Sequence, residues 1–173
     1  MARAAEGDRT AWRELYERHR DFVFRAAHRL TGSEAEARDL TQDVFVALFT
    51  RARAFKLQGK FTTYLWRVVA NRFLNERAKA RQRLEDPADE RLLQLPGPAE
   101  LAPDRQLEKR ELQEKVRGAI LQLPERQRLA VVLHRFEGLA YEGIAEALGC
   151  SVSSVESLLF RARQSLAKSL AEG

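Results

Sequence analysis

Arg67, Arg72, Lys79 and Arg83 recur through residues 61–83, FTTYLWRVVANRFLNERAKARQR, interleaved with Tyr64, Trp66 and Phe73. Guanidinium and ammonium groups bind phosphate oxygens, and a flat ring stacked on an unpaired base contributes about 1–3 kcal/mol. Arg72, Asn75, Lys79 and Arg83 are spaced by three or four, so on a helix they share one stripe along which a strand can run. The same pattern also describes a half-buried amphipathic helix with a solvated basic face. The segment alone does not separate the two.

The elements around it read as helical throughout. Asp8 is placed to cap a first helix whose apolar positions Trp12, Leu15, Tyr16, Phe22, Val23, Ala26 and Leu30 follow helical spacing. Thr31-Gly32-Ser33 ends it, and Ser33 with Glu36 makes a capping box for the next. There Leu40, Val44, Ala47 and Leu48 form the inward stripe, leaving Asp39, Gln42, Asp43 and Val46 on other faces. That helix is expected to run to about Phe55, and Thr62 or Thr63 to cap the aromatic-basic helix after the 56–60 loop.

Four of the five prolines (Pro87, Pro96, Pro98, Pro103) fall in one acidic stretch, which reads as a linker, with Leu92, Leu93 and Leu95 as a docking patch. Beyond it, 104–121 is a charged amphipathic helix, and Pro124 suits the first turn of the next, which extends to about Phe136. Residues 141–148 and 152–170 then form two helices across Gly149-Cys150-Ser151, with Gly149 suited to a left-handed helix end. In the last helix Val155, Leu159, Ala162 and Leu166 face inward, and Glu156, Ser157, Phe160, Arg161 and Gln164 face out. This is helix-turn-helix spacing, the second helix set to enter a major groove; a plain helical hairpin shares the pattern. The expected fold is all-α: two small helical domains, 1–84 and 104–173, joined by the proline-rich acidic linker 85–103.

Charge follows the same division. Residues 1–84 hold 18 Lys+Arg against 10 Asp+Glu, the linker 1 against 5, and residues 104–173 hold 11 against 10. The basic N-terminal half suits a polyanionic partner. A single cysteine, Cys150, excludes an internal disulfide framework, and His19, His28 and His134 lack metal-ligand spacing. Cys150 reads as a small buried turn residue before it reads as a redox switch. No apolar run reaches the length of a membrane span, and the start MARAAEGDR is no signal peptide, so a cytoplasmic protein without membrane insertion is expected. No nucleophile-base signature and no glycine-rich phosphate loop is present, so neither an enzyme nor a cofactor is expected.

Three blocks in order, EARDLTQDVFVALF (36–49), FTTYLWRVVANRF (61–73) and LPERQRLAVVLHRFEGLAYEGIAEALGCSVSSVESLLFRARQSL (123–166), resemble bacterial sigma factors of the small, extracytoplasmic-function type. The resemblance implies a region 2 module N-terminal to the linker and a region 4 module after it. It implies that Asp39, Gln42 and Asp43 dock on core RNA polymerase; short polar side chains beside Val46 and Phe49 suit an interface rim and anchor, and an ordinary solvated face shares the pattern. The resemblance further implies that minus-ten DNA is melted and a flipped base held by Phe55, Lys56 and the rest of the 56–60 loop with Asn71, with Tyr64 and Trp66 stacking and Arg67, Arg72, Lys79 and Arg83 on phosphates. Phe55 and Phe61 equally suit the core. Ser154, Glu156, Ser157, Phe160 and Arg161, with Arg163 toward the backbone, would meet minus-thirty-five DNA; Phe160 can pack on a thymine methyl group. Glu156 alternatively completes a capping box with Ser153. The implied partners are core polymerase, promoter DNA as duplex and melted strand, and an anti-sigma protein; the free chain is expected to be a monomer.

Some positions depart from the family pattern. Tyr64 and Trp66 look exchanged, which leaves open which ring faces DNA. Arg38 stands where an acidic residue is usual, Leu158 where arginine is frequent, and Gly143 where glutamate is common, lowering helix propensity by about 1 kcal/mol. The rival readings are a stand-alone repressor or activator with a dimerising N-terminal half, and a helical RNA-binding or adaptor protein. The aromatic-basic helix disfavours the first, and the helix-turn-helix disfavours the second.

Overall fold

The computed structural model describes residues 8–51, 61–84 and 105–171, without the side chains of 84 and 105–109. The described residues form seven α-helices and no strand. Helix α1 (Arg9–Thr31) starts at Asp8, whose carboxylate accepts from the Thr10 and Ala11 amides at 2.9 and 3.1 Å. It ends at Gly32, where φ is 76° and the amide donates to the His28 carbonyl. Ser33 caps α2 (Glu34–Thr50) by accepting from the Glu36 amide. Both boundaries match the expected cap chemistry. Helix α3 (Phe61–Leu84) begins at Phe61, so Thr62 and Thr63 lie inside its first turn rather than capping it.

Helix α4 (Arg105–Gln122) leads to α5 (Glu125–Val131), which widens into a π-helical turn over Val132–Phe136. The Glu137 amide closes that turn on the Val132 carbonyl at 3.2 Å. Helices α6 (Tyr141–Leu148) and α7 (Val152–Ala171) flank Gly149, whose φ of 60° is the left-handed end the sequence asks for. The hydroxyl that caps α7 belongs to Ser151, which accepts from the Ser154 amide at 3.2 Å. The Ser153–Glu156 capping box therefore does not form, and Glu156 is exposed.

Helices α1 and α2 pack together, and α3 lies against both. Helix α3 also packs on α6, and α7 packs on α4, α5 and α6. One apolar cluster runs through all of this, from Val23, Leu30, Val44 and Leu48 through Val69 to Leu129, Leu133, Ile144 and Val155. Two expected ring positions are corrected here. Trp66 is only 2% exposed and packs against Phe22, with ring centroids 5.1 Å apart, and Phe73 is 1% exposed. The cause is that the first half of α3 has neighbours on both sides. Leu65, Trp66, Val68, Val69 and Ala70 are all buried, with only Arg67 exposed among them. Burying a large apolar side chain contributes about 1.5–3 kcal/mol, so these rings belong to the core and do not face a nucleic acid. Tyr16, expected inside, is 42% exposed, and Leu166 is half-buried. Phe61 packs on the core edge beside His19.

Candidate nucleic-acid and protein-docking surfaces

On α2 the inward stripe leaves a mixed outer surface. Asp39 and Gln42 are exposed and Asp43 is half-buried. Val46 and Phe49 are 52% and 62% exposed, unusual values for large apolar side chains standing side by side. With Trp12, Tyr16 and Phe45 they line a groove of about 920 Å³ between α1 and α2, and Gln42 stands on its wall. The Phe49 ring meets Trp12 edge-on at 5.3 Å, and Tyr16 meets Phe45 at 4.8 Å, so the groove floor is held by ring packing. Asp39 and Asp43 line a separate recess of about 230 Å³ with Glu36, Phe73 and Arg77. The expected trio is thus divided between two adjoining hollows. Trp12 and Tyr16 were not singled out for this surface by sequence. They lie on the same stripe of α1 as Val23 and Leu30, so their apolar character reads as core and no sequence signal sets them apart.

Arg38, the unexpected cation before Asp39, pairs with Glu34 one turn back and so carries its own local counter-charge.

In the first half of α3, Thr62, Arg67 and Asn71 are exposed, and Tyr64 is half-buried on the stripe of Arg67 and Asn71. Tyr64, Arg67, Asn71 and Asn75 recur at three- and four-residue steps. The half-buried Arg72 and the exposed Lys79 and Arg83 continue the polar face along the second half. Lys79 bonds Glu76 at 2.8 Å, an exposed pair that competes weakly with a phosphate. The structure therefore brings Tyr64, Arg67 and Asn71 together and takes Trp66 away. Phe55 and Lys56 lie outside the described residues, as do Leu92, Leu93 and Leu95.

On α7, Ser154, Glu156, Ser157, Phe160, Arg161 and Arg163 are all exposed, while Val155, Leu159 and Ala162 anchor the helix. Phe160 is 57% exposed on this outer face. Ser157 donates to the Ser153 carbonyl at 3.0 Å, and the Arg163 Nε donates to the Leu159 carbonyl, which steadies both along the helix. Leu158, where arginine is frequent in the family, and the partly buried Cys150 both pack against the core.

Away from these surfaces, burial shapes four titratable groups. Burial, then Arg18, holds His19 below its ordinary value; burial, then Arg117, does the same to His28. Burial lowers Arg128, and burial raises Glu137 against the opposing pull of Arg29 and Arg25. Among the described residues, no group of three or more His, Cys, Asp and Glu is placed to hold a metal ion, and no single helix is long and apolar enough to cross a membrane.

Comparison with known proteins matches residues 15–83 to sigma-70 region 2 and residues 113–166 to sigma-70 region 4. The chain is similar to the ECF RNA polymerase sigma factor SigE of Mycolicibacterium smegmatis, 35% identical over 97% of this chain and 66% of that relative. It is similar to the RNA polymerase sigma-H factor of Pseudomonas aeruginosa, 31% identical over 98% of this chain and 91% of that one. Among solved structures it resembles CnrH in complex with the cytosolic domain of CnrY. That match has a TM-score of 0.70 and 26% identity, covering 99% of this chain and 94% of CnrH. The fold is also that of Bartonella quintana RpoE, with a TM-score of 0.71 and 20% identity over 93% of this chain and 97% of that one.

Proposed function

The chain belongs to the sigma-70 family of RNA polymerase sigma factors, of the extracytoplasmic-function type, and on that premise we propose that it is a dissociable transcription initiation factor. It binds core RNA polymerase, brings it to promoters built from a minus-ten and a minus-thirty-five element, and promotes opening of the duplex. The chain acts by binding and not as an enzyme, in the cytoplasm, and is a monomer when free. The region 2 role falls to residues 1–84 and the region 4 role to 104–173.

One observation carries this reading: a single chain exposes an apolar groove, a basic helix face bordered by the half-buried Tyr64, and the outer face of a helix-turn-helix. In the groove, Val46 and Phe49 supply the apolar anchor and Gln42 the polar wall for the polymerase, with Asp39 and Asp43 on the adjoining hollow. On α3, Tyr64 stacks on a base of the melted strand, Asn71 offers an amide, and Arg67, Arg72, Lys79 and Arg83 hold phosphates. Phe55 and Lys56 complete the pocket for the flipped base. On α7, Arg161 and Phe160 read base edges, with Ser154, Glu156 and Ser157 beside them and Arg163 on the backbone. A sequestering anti-sigma protein is the implied regulator; CnrH, a structural relative, was solved with the cytosolic domain of another protein.

The test is transcription by core polymerase on sheared genomic DNA with and without the chain, mapping RNA 5′ ends. New starts preceded by two shared sequence elements are expected. Absence of chain-dependent starts, together with binding of the chain alone to a symmetric duplex site, would instead make it a stand-alone regulator.

A further inference from the structure

Helix α1 meets α4 and the π-helical turn along a seam where guanidinium groups bond backbone carbonyls. The Arg128 Nη1 donates to the Leu30 carbonyl at 2.6 Å, and the Arg117 Nη2 donates to the Gly32 carbonyl at 2.9 Å. Beside this contact lies a cavity of about 490 Å³, within the roughly 300–1,000 Å³ typical of small-molecule sites. Leu112, Val116 and Ile120 of α4 and Phe136 of the π-helical turn make its apolar wall. The three α4 positions stand at i, i+4 and i+8, so one stripe of that helix faces the cavity. Leu112 is 59% exposed and Phe136 42%, so the mouth is open to solvent, while Ile120 is buried. A π-helical turn is an irregularity found often at functional sites, and here it supplies Phe136 to the wall.

The charge in this lining has one sign. His28, Arg29 and Arg117 stand in it with the neutral Gln113, and none of the described lining residues carries a carboxylate. The cationic groups converge: Arg29 lies 4.7 Å from the Phe136 ring centroid, and an Arg117 nitrogen lies 3.4 Å from His28 Nε2. Their ion pairs are long, Arg29 to Glu137 at 3.4 Å and Arg117 to the exposed Glu114 at 3.6 Å. A guanidinium has five N–H donors in a planar fork, so it can bind a further carboxylate beside such partners. Burial, and then Arg117, hold the His28 pKa below its ordinary value, and an anion placed here relieves that positive field. We propose that this cavity binds a small aliphatic monocarboxylate, its chain on Leu112, Val116, Ile120 and Phe136 and its head on Arg29 and Arg117. The apolar wall requires a ligand with an apolar body, which inorganic phosphate lacks, and the cationic lining disfavours a positively charged amphiphile. The site lies outside the polymerase and DNA surfaces assigned above and does not depend on them.

The test is titration of the isotope-labelled full chain with decanoate, followed through its backbone amide resonances. Saturable shifts are expected at Val116, Ile120 and Phe136 and not at Val46 and Phe49 in the α1–α2 groove. Each buried methylene is worth about fourfold in affinity, so octanoate should bind roughly 15-fold more weakly than decanoate. Decanol, without the charged head, should bind roughly 10- to 150-fold more weakly. Leu112→Glu and Leu112→Gln remove the same apolar contact at an exposed position, but the first adds a like charge at the mouth. Decanoate should therefore bind Leu112→Glu about fivefold more weakly than Leu112→Gln. Absence of saturable shifts would overturn the proposal, as would shifts confined to Val46 and Phe49. Decyltrimethylammonium binding as tightly as decanoate, or equal decanoate affinity in the two variants, would overturn it too. The titration uses neither polymerase nor DNA, so its failure is distinguishable from failure of the sigma reading.

Discussion

Replacing Trp66 by alanine separates core from DNA contact at the position where the family pattern looks exchanged. Trp66 is 2% exposed and packed on Phe22, so truncation leaves a cavity in the centre of α1, α2 and α3. Such truncations remove about 3–5 kcal/mol. For a chain of this size each kcal/mol shifts the melting temperature by about 2–4 °C, giving a fall of roughly 6–20 °C. Tyr64 is half-buried, and its truncation is expected to take only about 1 kcal/mol from stability. If Tyr64 is the stacking ring, its loss removes about 1–3 kcal/mol of base stacking, a roughly 5- to 150-fold loss in affinity. The assays are thermal melting of each free variant and anisotropy of a labelled single-stranded minus-ten oligonucleotide with the polymerase complex. The reasoning fails if Trp66→Ala melts within about 2 °C of the unsubstituted chain yet loses single-strand binding as strongly as Tyr64→Ala should.

Three further outcomes follow. Gly149→Ala meets no atom within 4 Å of the new Cβ but keeps a φ of 60°, so it should lose about 1 kcal/mol through backbone strain alone, read as a lower midpoint in urea. Glu137 has a raised folded pKa, so its contribution to stability is fully present below 4.5 and is lost as pH rises through the folded value. The melting temperature minus that of Glu137→Gln should therefore increase as pH falls from 7 toward 4.5. His28 runs the other way, its contribution present above pH 6.5 and lost as pH falls through its depressed value, so both curves are measured in the same buffers. Arg163→Ala should weaken duplex binding about equally across sequences and lower the salt dependence by about one counterion, whereas Phe160→Ala should reduce discrimination at one base pair; competition titrations distinguish the two.

Much of the fold was legible because local chemistry and the final structure agree. Asp8, Ser33, Gly32 and Gly149 each do at a helix end what their side chains, or lack of one, favour in any context. The stripe Val155, Leu159 and Ala162 is buried on one side only, so its period stands out and the outer residues of α7 follow from it. Helix α3 was harder to read. Its first half buries Leu65, Trp66, Val68, Val69, Ala70 and Phe73 and leaves a narrow exposed stripe, which blurs the amphipathic period and made Trp66 and Phe73 look available for stacking. The seam was not legible at all, since Arg128 and Arg117 bond backbone carbonyls, which every residue carries and no sequence marks. The π-helical turn before Glu137 also had no sequence signal. The division of Asp39, Gln42 and Asp43 between two hollows depends on how α1 and α3 flank α2, a tertiary fact.

The most direct test of the account is capture of purified core RNA polymerase by the chain at moderate salt, alongside a Gln42→Ala/Phe49→Ala variant. The account predicts stoichiometric capture by the unsubstituted chain, a clear loss in the variant, and a variant melting temperature lowered by no more than about 6 °C, the contribution of the Trp12–Phe49 ring pair. Absence of polymerase capture by the unsubstituted, folded chain would contradict it.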